Sequence, residues 1–233
     1  MVKSKIQFYK LSGLSFITLV VLIFSSCKKD NTSTQTDLGN SQILLVNSAA
    51  STSAIDFYWT GNKLNTVPLV FGNTTGYRNV TSGTRNIQIK ANLSNILLAT
   101  NTVKLVRDSS YTFFVYEANR TTTTVIAEDD LSLPSFGNVK IKFANMSPGL
   151  SSADLVIVNG PVVASSVSFG TIGSYTELRA GTYNLALRVH NSNTILLNIP
   201  NVRVDNGKIY TIWCGGSTNG TSAAALTVQK ITQ

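Results

Sequence analysis

The sequence predicts an all-β protein: two tandem antiparallel β-sandwiches, over residues 42–130 and 139–233, behind a short N-terminal export segment. Three observations predict it. The chain repeats itself in register, its apolar residues alternate with polar ones, and its composition favours strands. Of the 233 residues, 43% are apolar, enough for real cores, and only 13% are charged. Ser, Thr and Asn stand in for the Glu, Lys and Arg that coat surface helices, a mix that suits strands and turns.

The export segment comes first. Met1–Lys10 carries Lys3, Lys5 and Lys10 and no acid, and Leu11–Phe24 follows without a charge. Fourteen residues are too few to cross a bilayer, which takes about 20. They read as the positive and apolar regions of a secretory signal peptide spanning residues 1–26. Ile23-Phe24-Ser25-Ser26-Cys27 resembles a bacterial lipobox, with Phe24 where Leu is commoner. The resemblance implies that the Cys27 thiol is diacylated with palmitate-type chains, giving a membrane-anchored lipoprotein. Two or more acyl chains hold stably where one does not. Lys28-Lys29-Asp30 resembles the tag that sends some Gram-negative lipoproteins to the outer face of the outer membrane. The expected location is therefore the outer membrane, at the cell surface rather than its periplasmic face. Residues 27–41 comprise the lipidated Cys and a Thr/Ser/Asn/Gln-rich run that reads as a tether.

The repeat is the strongest signal. Asn47 and Asn145 stand 98 residues apart, as do Ser53 and Ser151, and Asp56 and Asp154. Phe71-Gly72 and Phe169-Gly170, Tyr77 and Tyr175, and Gly83-Thr84 and Gly181-Thr182 keep the same offset. One residue is then inserted, and Tyr111-Thr112 meets Tyr210-Thr211 at an offset of 99. Residues 131–138, with Pro134 and Gly137, form the linker between the copies.

Within each copy the period is two. Val139, Ile141 and Phe143 alternate with Lys140 and Lys142, predicting a strand with one buried face. Tyr183, Leu185, Leu187 and Val189 do the same. Asn159-Gly160-Pro161, Ala180-Gly181 and Asp205-Asn206-Gly207 break the runs. Seven or eight strands in about 90 residues, with turns every 8–12, is a sandwich pattern.

Phe143-Ala144-Asn145-Met146-Ser147-Pro148, Ala153-Asp154-Leu155, Phe169-Gly170, Tyr175 and Ala180-Gly181-Thr182-Tyr183 resemble the bacterial family catalogued as domain of unknown function 4397. The first copy keeps Asn47, Asp56, Phe71, Gly72, Tyr77, Gly83 and Thr84, but has Ala50 for the Pro and Arg85 for the last Tyr. The resemblance spans nearly all of the mature chain. It implies secretion and an immunoglobulin- or transthyretin-like sandwich, and no established activity.

Candidate chemistry is sparse. The lone His190 stands at a hairpin tip and reads as a solvated loop residue, with Asn92 as its equivalent in the first copy. Cys214 ends a strand, has no disulfide partner once Cys27 is acylated, and reads as a small buried residue. No zinc spacing, phosphate loop or calcium-loop string is present, so no catalytic residue and no cofactor is expected. Asp56 and Asp154 are candidate metal ligands. Against that stands a role fixing their own loops through backbone hydrogen bonds, which the lack of a neighbouring acid favours. Asn47 and Asn145 are expected to close the first loop likewise. Glu128-Asp129-Asp130 reads as a solvated acidic boundary. Tyr58, Trp59 and Trp213 are candidate stacking rings for a sugar, weighed against packing in the core or between domains.

The formal charge of +8 falls to +5 without Lys3, Lys5 and Lys10. The remaining cations are scattered, which argues against a nucleic-acid partner. The expected function is a noncatalytic binding or adhesion module of the cell envelope, for a glycan or an envelope protein, with avidity from two like domains. The alternative is a structural or accessory subunit of an envelope complex such as a surface uptake system.

Overall fold

The computed structural model describes residues 39–219 and 225–233, so the signal peptide, Cys27 and most of the tether lie outside the described residues. Among the described residues every regular element is a strand. The first copy holds β1 (Asn40–Asn47), β2 (Ile55–Trp59), β3 (Asn62–Lys63), β4 (Thr74–Thr81), β5 (Gly83–Ala91), β6 (Leu97–Leu105), β7 (Ser110–Ala118) and β8 (Thr121–Asp129). The second holds β9 (Asn138–Asn145), β10 (Ser152–Ile157), β11 (Val162–Ser168), β12 (Thr171–Ile172), β13 (Thr176–Arg179), β14 (Gly181–Val189), β15 (Ile195–Val204), β16 (Ile209–Gly215) and β17 (Thr227–Thr232).

Each copy is a two-sheet sandwich. The first pairs β4-β1-β7-β8 with β3-β2-β5-β6, and the second pairs β12-β9-β16-β17, with β13 also on β9, against β11-β10-β14-β15. The ladders are antiparallel except β1–β7 and β9–β16, which run parallel. Alternation fills each interior as expected. Ile43, Leu45, Ile55, Phe57, Ile87, Ile89 and Phe113 form the first core. Val139, Ile141, Phe143, Leu155, Leu185, Leu187 and Ile212 form the second.

The sheets containing β1 and β9 are buried on both faces, which corrects the reading of β9 as half exposed. Leu44, Val46, Phe114, Ala144, Met146, Trp213 and Ile231 form a third apolar cluster between the copies. The lysines alternating along β9 are buried too, Lys142 at 2% and Lys140 at 9% exposure. The molecule is thus four sheets in layers, and the two sandwiches are fused rather than merely tandem.

Repeated residues have identifiable tasks. Asn47 Nδ2 donates to Leu69 O at 2.9 Å, and Asn145 Nδ2 to Leu150 O and Val167 O at 3.0 and 3.1 Å. Gly72 and Gly170, at φ +89° and +72°, donate their N–H to Asn47 O and Asn145 O, each at 2.8 Å. Tyr111 and Tyr210 each accept a backbone N–H five residues upstream, from Val106 and Asp205, a tyrosine-corner arrangement. The inserted residue is a bulge in β15. Tyr183 pairs Val202 while Leu185 pairs Ile199, and Asn201 takes φ +57°.

Candidate functional site

Asp56 and Asp154 open equivalent strands and are nearly buried, at 3% and 2% exposure. Their partners belong to the protein. Asp56 accepts hydrogen bonds from Asn65 Nδ2 at 2.9 Å and Asn92 Nδ2 at 2.8 Å, and pairs with Lys63 Nζ at 2.9 Å. Asp154 accepts the Ser166 N–H at 2.8 Å and pairs with Arg188 and His190 Nδ1, each at 2.8 Å. Burial pushes both carboxyls up. The hydrogen bonds and neighbouring cations outweigh it and hold them below the ordinary carboxylate range. Among the described residues no group of three or more His, Cys, Asp or Glu is placed to hold a metal. The carboxylates tie β2 to β3 and to the loops bearing Asn65 and Asn92, and β10 to β11, β14 and the loop bearing His190.

His190 is therefore not the solvated loop residue expected. Its side chain is 26% exposed and bound to Asp154. Asn92 does the same for Asp56, so the two equivalent positions share a role that their chemical difference conceals. Cys214 is fully buried, its thiol 3.3 Å from Asn145 Oδ1, and burial pushes it up to about 12.

The candidate rings are occupied. Trp59 lies in the first core, 4% exposed, and its indole N–H donates to Thr81 Oγ1 at 3.1 Å. Trp213 is fully buried between the copies, edge-on to Phe71 at 6.1 Å and Phe114 at 6.0 Å. Neither can receive a sugar face. Tyr58 sits on an outer sheet with Lys90 Nζ 4.5 Å above its ring.

The acidic run is corrected at Asp129 alone, since Glu128 and Asp130 are exposed. Asp129 is buried, ion-paired with Lys142, and accepts hydrogen bonds from Tyr77 Oη at 2.7 Å and Thr112 Oγ1 at 2.8 Å. Gln233 extends the network, donating to Thr112 Oγ1 at 3.0 Å and accepting from Tyr175 Oη at 2.7 Å. Burial, then the Asp129 charge, pushes the Tyr77 and Tyr175 hydroxyls well above the ordinary phenol range. Desolvation holds Lys142 below its usual value. These groups lock one copy to the other.

The seam also makes a concavity that the sequence did not announce. β1 and β9 end on the same side of the molecule. Around that distal end lie the loops after β1 and β9, the β7–β8 tip and the residues after β16. They line a cleft of about 350 Å³ with Ser48, Ser51, Glu117, Asn119, Arg120 and Ser217 among its walls. The Ser51 hydroxyl donates to the Glu117 carboxylate. Asn119 and Arg120 form the hairpin tip with φ of +50° and +63°. An arginine there is strained, because its Cβ crowds the backbone. Both copies contribute walls, so the cleft exists only in the fused pair. A linear repeat search cannot find it, because neither copy contains it.

Fold and seam define a twin β-sandwich protein whose copies share one face. The chain belongs to the family described as Domain of unknown function (DUF4397), which matches it over residues 41–156 and 143–232. No curated protein matches it. Among solved structures, it is similar to the C-terminal domain of AlgF from P. aeruginosa, at 17% identity and TM-score 0.31, over 43% of this chain and 100% of that one. It is also similar to the family CBM26 module of Eubacterium rectale Amy13K in complex with maltoheptaose. That match has 12% identity and TM-score 0.28, over 82% of this chain and 97% of that one.

Proposed function

We propose that the chain is a noncatalytic binding lipoprotein of the bacterial cell envelope, anchored in the outer membrane through Cys27. In this reading it presents the distal cleft to a glycan or an envelope protein. The observation that carries the reading is the seam cleft itself. Its volume, about 350 Å³, falls within the ~300–1,000 Å³ of small-molecule sites. Hydroxyl, amide, carboxylate and guanidinium groups converge there, a set suited to a hydroxyl-rich ligand. Arg120 is held at positive φ on its rim. Residues kept in such conformations cluster at binding sites.

The noncatalytic part rests on the chemistry present. Neither His190 nor Cys214 lines the cleft, and Cys214 is buried with its thiol held protonated. Polarity supports the anchored orientation. The chain enters the body at Gly39, at the opposite end of β1 from the cleft. A tether from Cys27 would join the body at the end away from the cleft.

Binding of the full chain to an envelope polysaccharide panel tests the proposal. Arg120→Ala and Asn119→Gly are expected to weaken the selected ligand about tenfold or more, with unfolding midpoints unchanged or raised. If the panel gives nothing and a stoichiometric protein partner co-purifies from membranes, the accessory-subunit reading replaces the glycan one.

A further inference from the structure

The joint between the sandwiches is pinned by its polar groups and turns its apolar ones to water. Asp130 Oδ1 accepts the Ser132 N–H at 3.0 Å and the Ser132 hydroxyl at 2.6 Å. Lys140 Nζ reaches both Asp130 Oδ2 and Ser132 Oγ at 2.6 Å. Ser135 N–H donates to Glu177 Oε1 at 3.1 Å, and Ala180 N–H to Gly137 O at 2.9 Å. The backbone so held exposes Leu133 at 81% and Phe136 at 100%, with Leu131 at 37% beside them. Single exposed apolar residues are ordinary, whereas several held together on one surface mark an interaction site.

Its position indicates what covers it. Leu131 and Ser132 line one depression with Asp108 and Ser109. The Asp108 N–H donates to Asn40 O at 2.8 Å. The apolar joint therefore borders the point where the chain enters the body at Gly39. On its other side, Gly207 N–H donates to Asn138 O at 2.9 Å. That contact brings up the loop bearing exposed Lys208, and Arg179 precedes Ala180. Asp108 and Glu128 are exposed nearby as well.

We propose that this proximal end rests on the phospholipid bilayer, with Leu133 and Phe136 seated at the headgroup–acyl boundary. The inference rests on the lipoprotein reading of Cys27. Cys27 precedes Gly39 by twelve residues, at most about 40 Å of extended chain. A lipid on Cys27 keeps this end within reach of the membrane. The edge is mixed, Lys208 and Arg179 beside the acids Asp108, Glu128 and Asp130, so buried apolar area rather than charge drives the contact.

The test uses the full lipidated protein in vesicles of phosphatidylethanolamine and phosphatidylglycerol. The other native thiol, Cys214, is fully buried, so an introduced cysteine takes an environment-sensitive fluorophore. Phe136→Cys is compared with Asn193→Cys, on the distal β14–β15 hairpin. The label at 136 is expected to shift to the blue and to lose most of its quenching by aqueous iodide, while the label at 193 stays fully quenched. Equal quenching at both sites, in protein that still floats with the vesicles, overturns the bilayer contact and leaves the lipoprotein reading intact. Shielding at 136, together with disulfide-linked dimers of the unlabelled Phe136→Cys protein on the same vesicles, overturns it in favour of a second copy. Failure to float overturns both.

Discussion

Asp129 and Lys142 bring opposite charges into the buried seam between the copies, where each depends on the other. Removing one partner of a buried pair strands the other, at a cost of about 3–5 kcal/mol. Lys142→Ala is expected to destabilise the protein by that amount in urea unfolding, while a paired apolar replacement, Lys142→Met with Asp129→Leu, costs much less. Asp56 and Asp154 give a pH dependence of known sign. Their folded carboxyls titrate below the ordinary aspartate value of 3.8, so in acid the unfolded chain binds more protons than the folded one. Their contribution is whole above about pH 4 and falls away as the pH drops through their folded values. An Asp56→Asn variant should show a flatter acid limb in unfolding measured from pH 5 to 2. At this scale the sequence was only partly legible. The Asp pair was visible because both copies retain it. Its partners were not, since Asn92 and His190 look unrelated until both are seen on the same carboxylate. Asp129 resembled its exposed neighbours Glu128 and Asp130, and nothing local marked it as buried.

Alternation reveals one face of a strand, and it served the outer sheets well. It misled for β9, because a lysine stem can be buried when its ammonium meets a carboxylate. The clue lay in Phe-Gly and the repeated Tyr, which recur where the copies touch. Tyr116 packs edge-on against Phe169 at 5.4 Å, and a Cβ on Gly170 would fall 2.6 Å from the Tyr116 hydroxyl. Gly170→Ala also forces a side chain into φ +72°. It is expected to cost about 1–3 kcal/mol from backbone strain alone, and more with the clash. Gly72→Ala meets only the flexible end of Gln229, so the pair should differ when their melting temperatures are compared. The β7–β8 hairpin gives the opposite sign. Arg120→Gly relieves a left-handed arginine and should raise stability by about 1 kcal/mol, while weakening whatever the cleft holds. A gain in stability joined to a loss of binding would mark the tip as kept for its ligand.

The three apolar clusters form one stack, so the two sandwiches are expected to unfold together, in a single calorimetric peak. Trp213 is the hinge of that expectation, buried against residues of both copies. Trp213→Ala should cost about 3–5 kcal/mol and split the peak in two as the halves lose their coupling. That the chain holds two copies was plain from the register; that they dock with like ends aligned was not, because docking depends on side chains facing outward from each copy. The shared face has a practical corollary. Cut between Leu133 and Pro134, each half would bare a broad greasy wall and clump when made alone. Produced in the same cell, the halves should zip into a working whole without a peptide bond joining them, and fusing each to a fragment of a split reporter would reveal it.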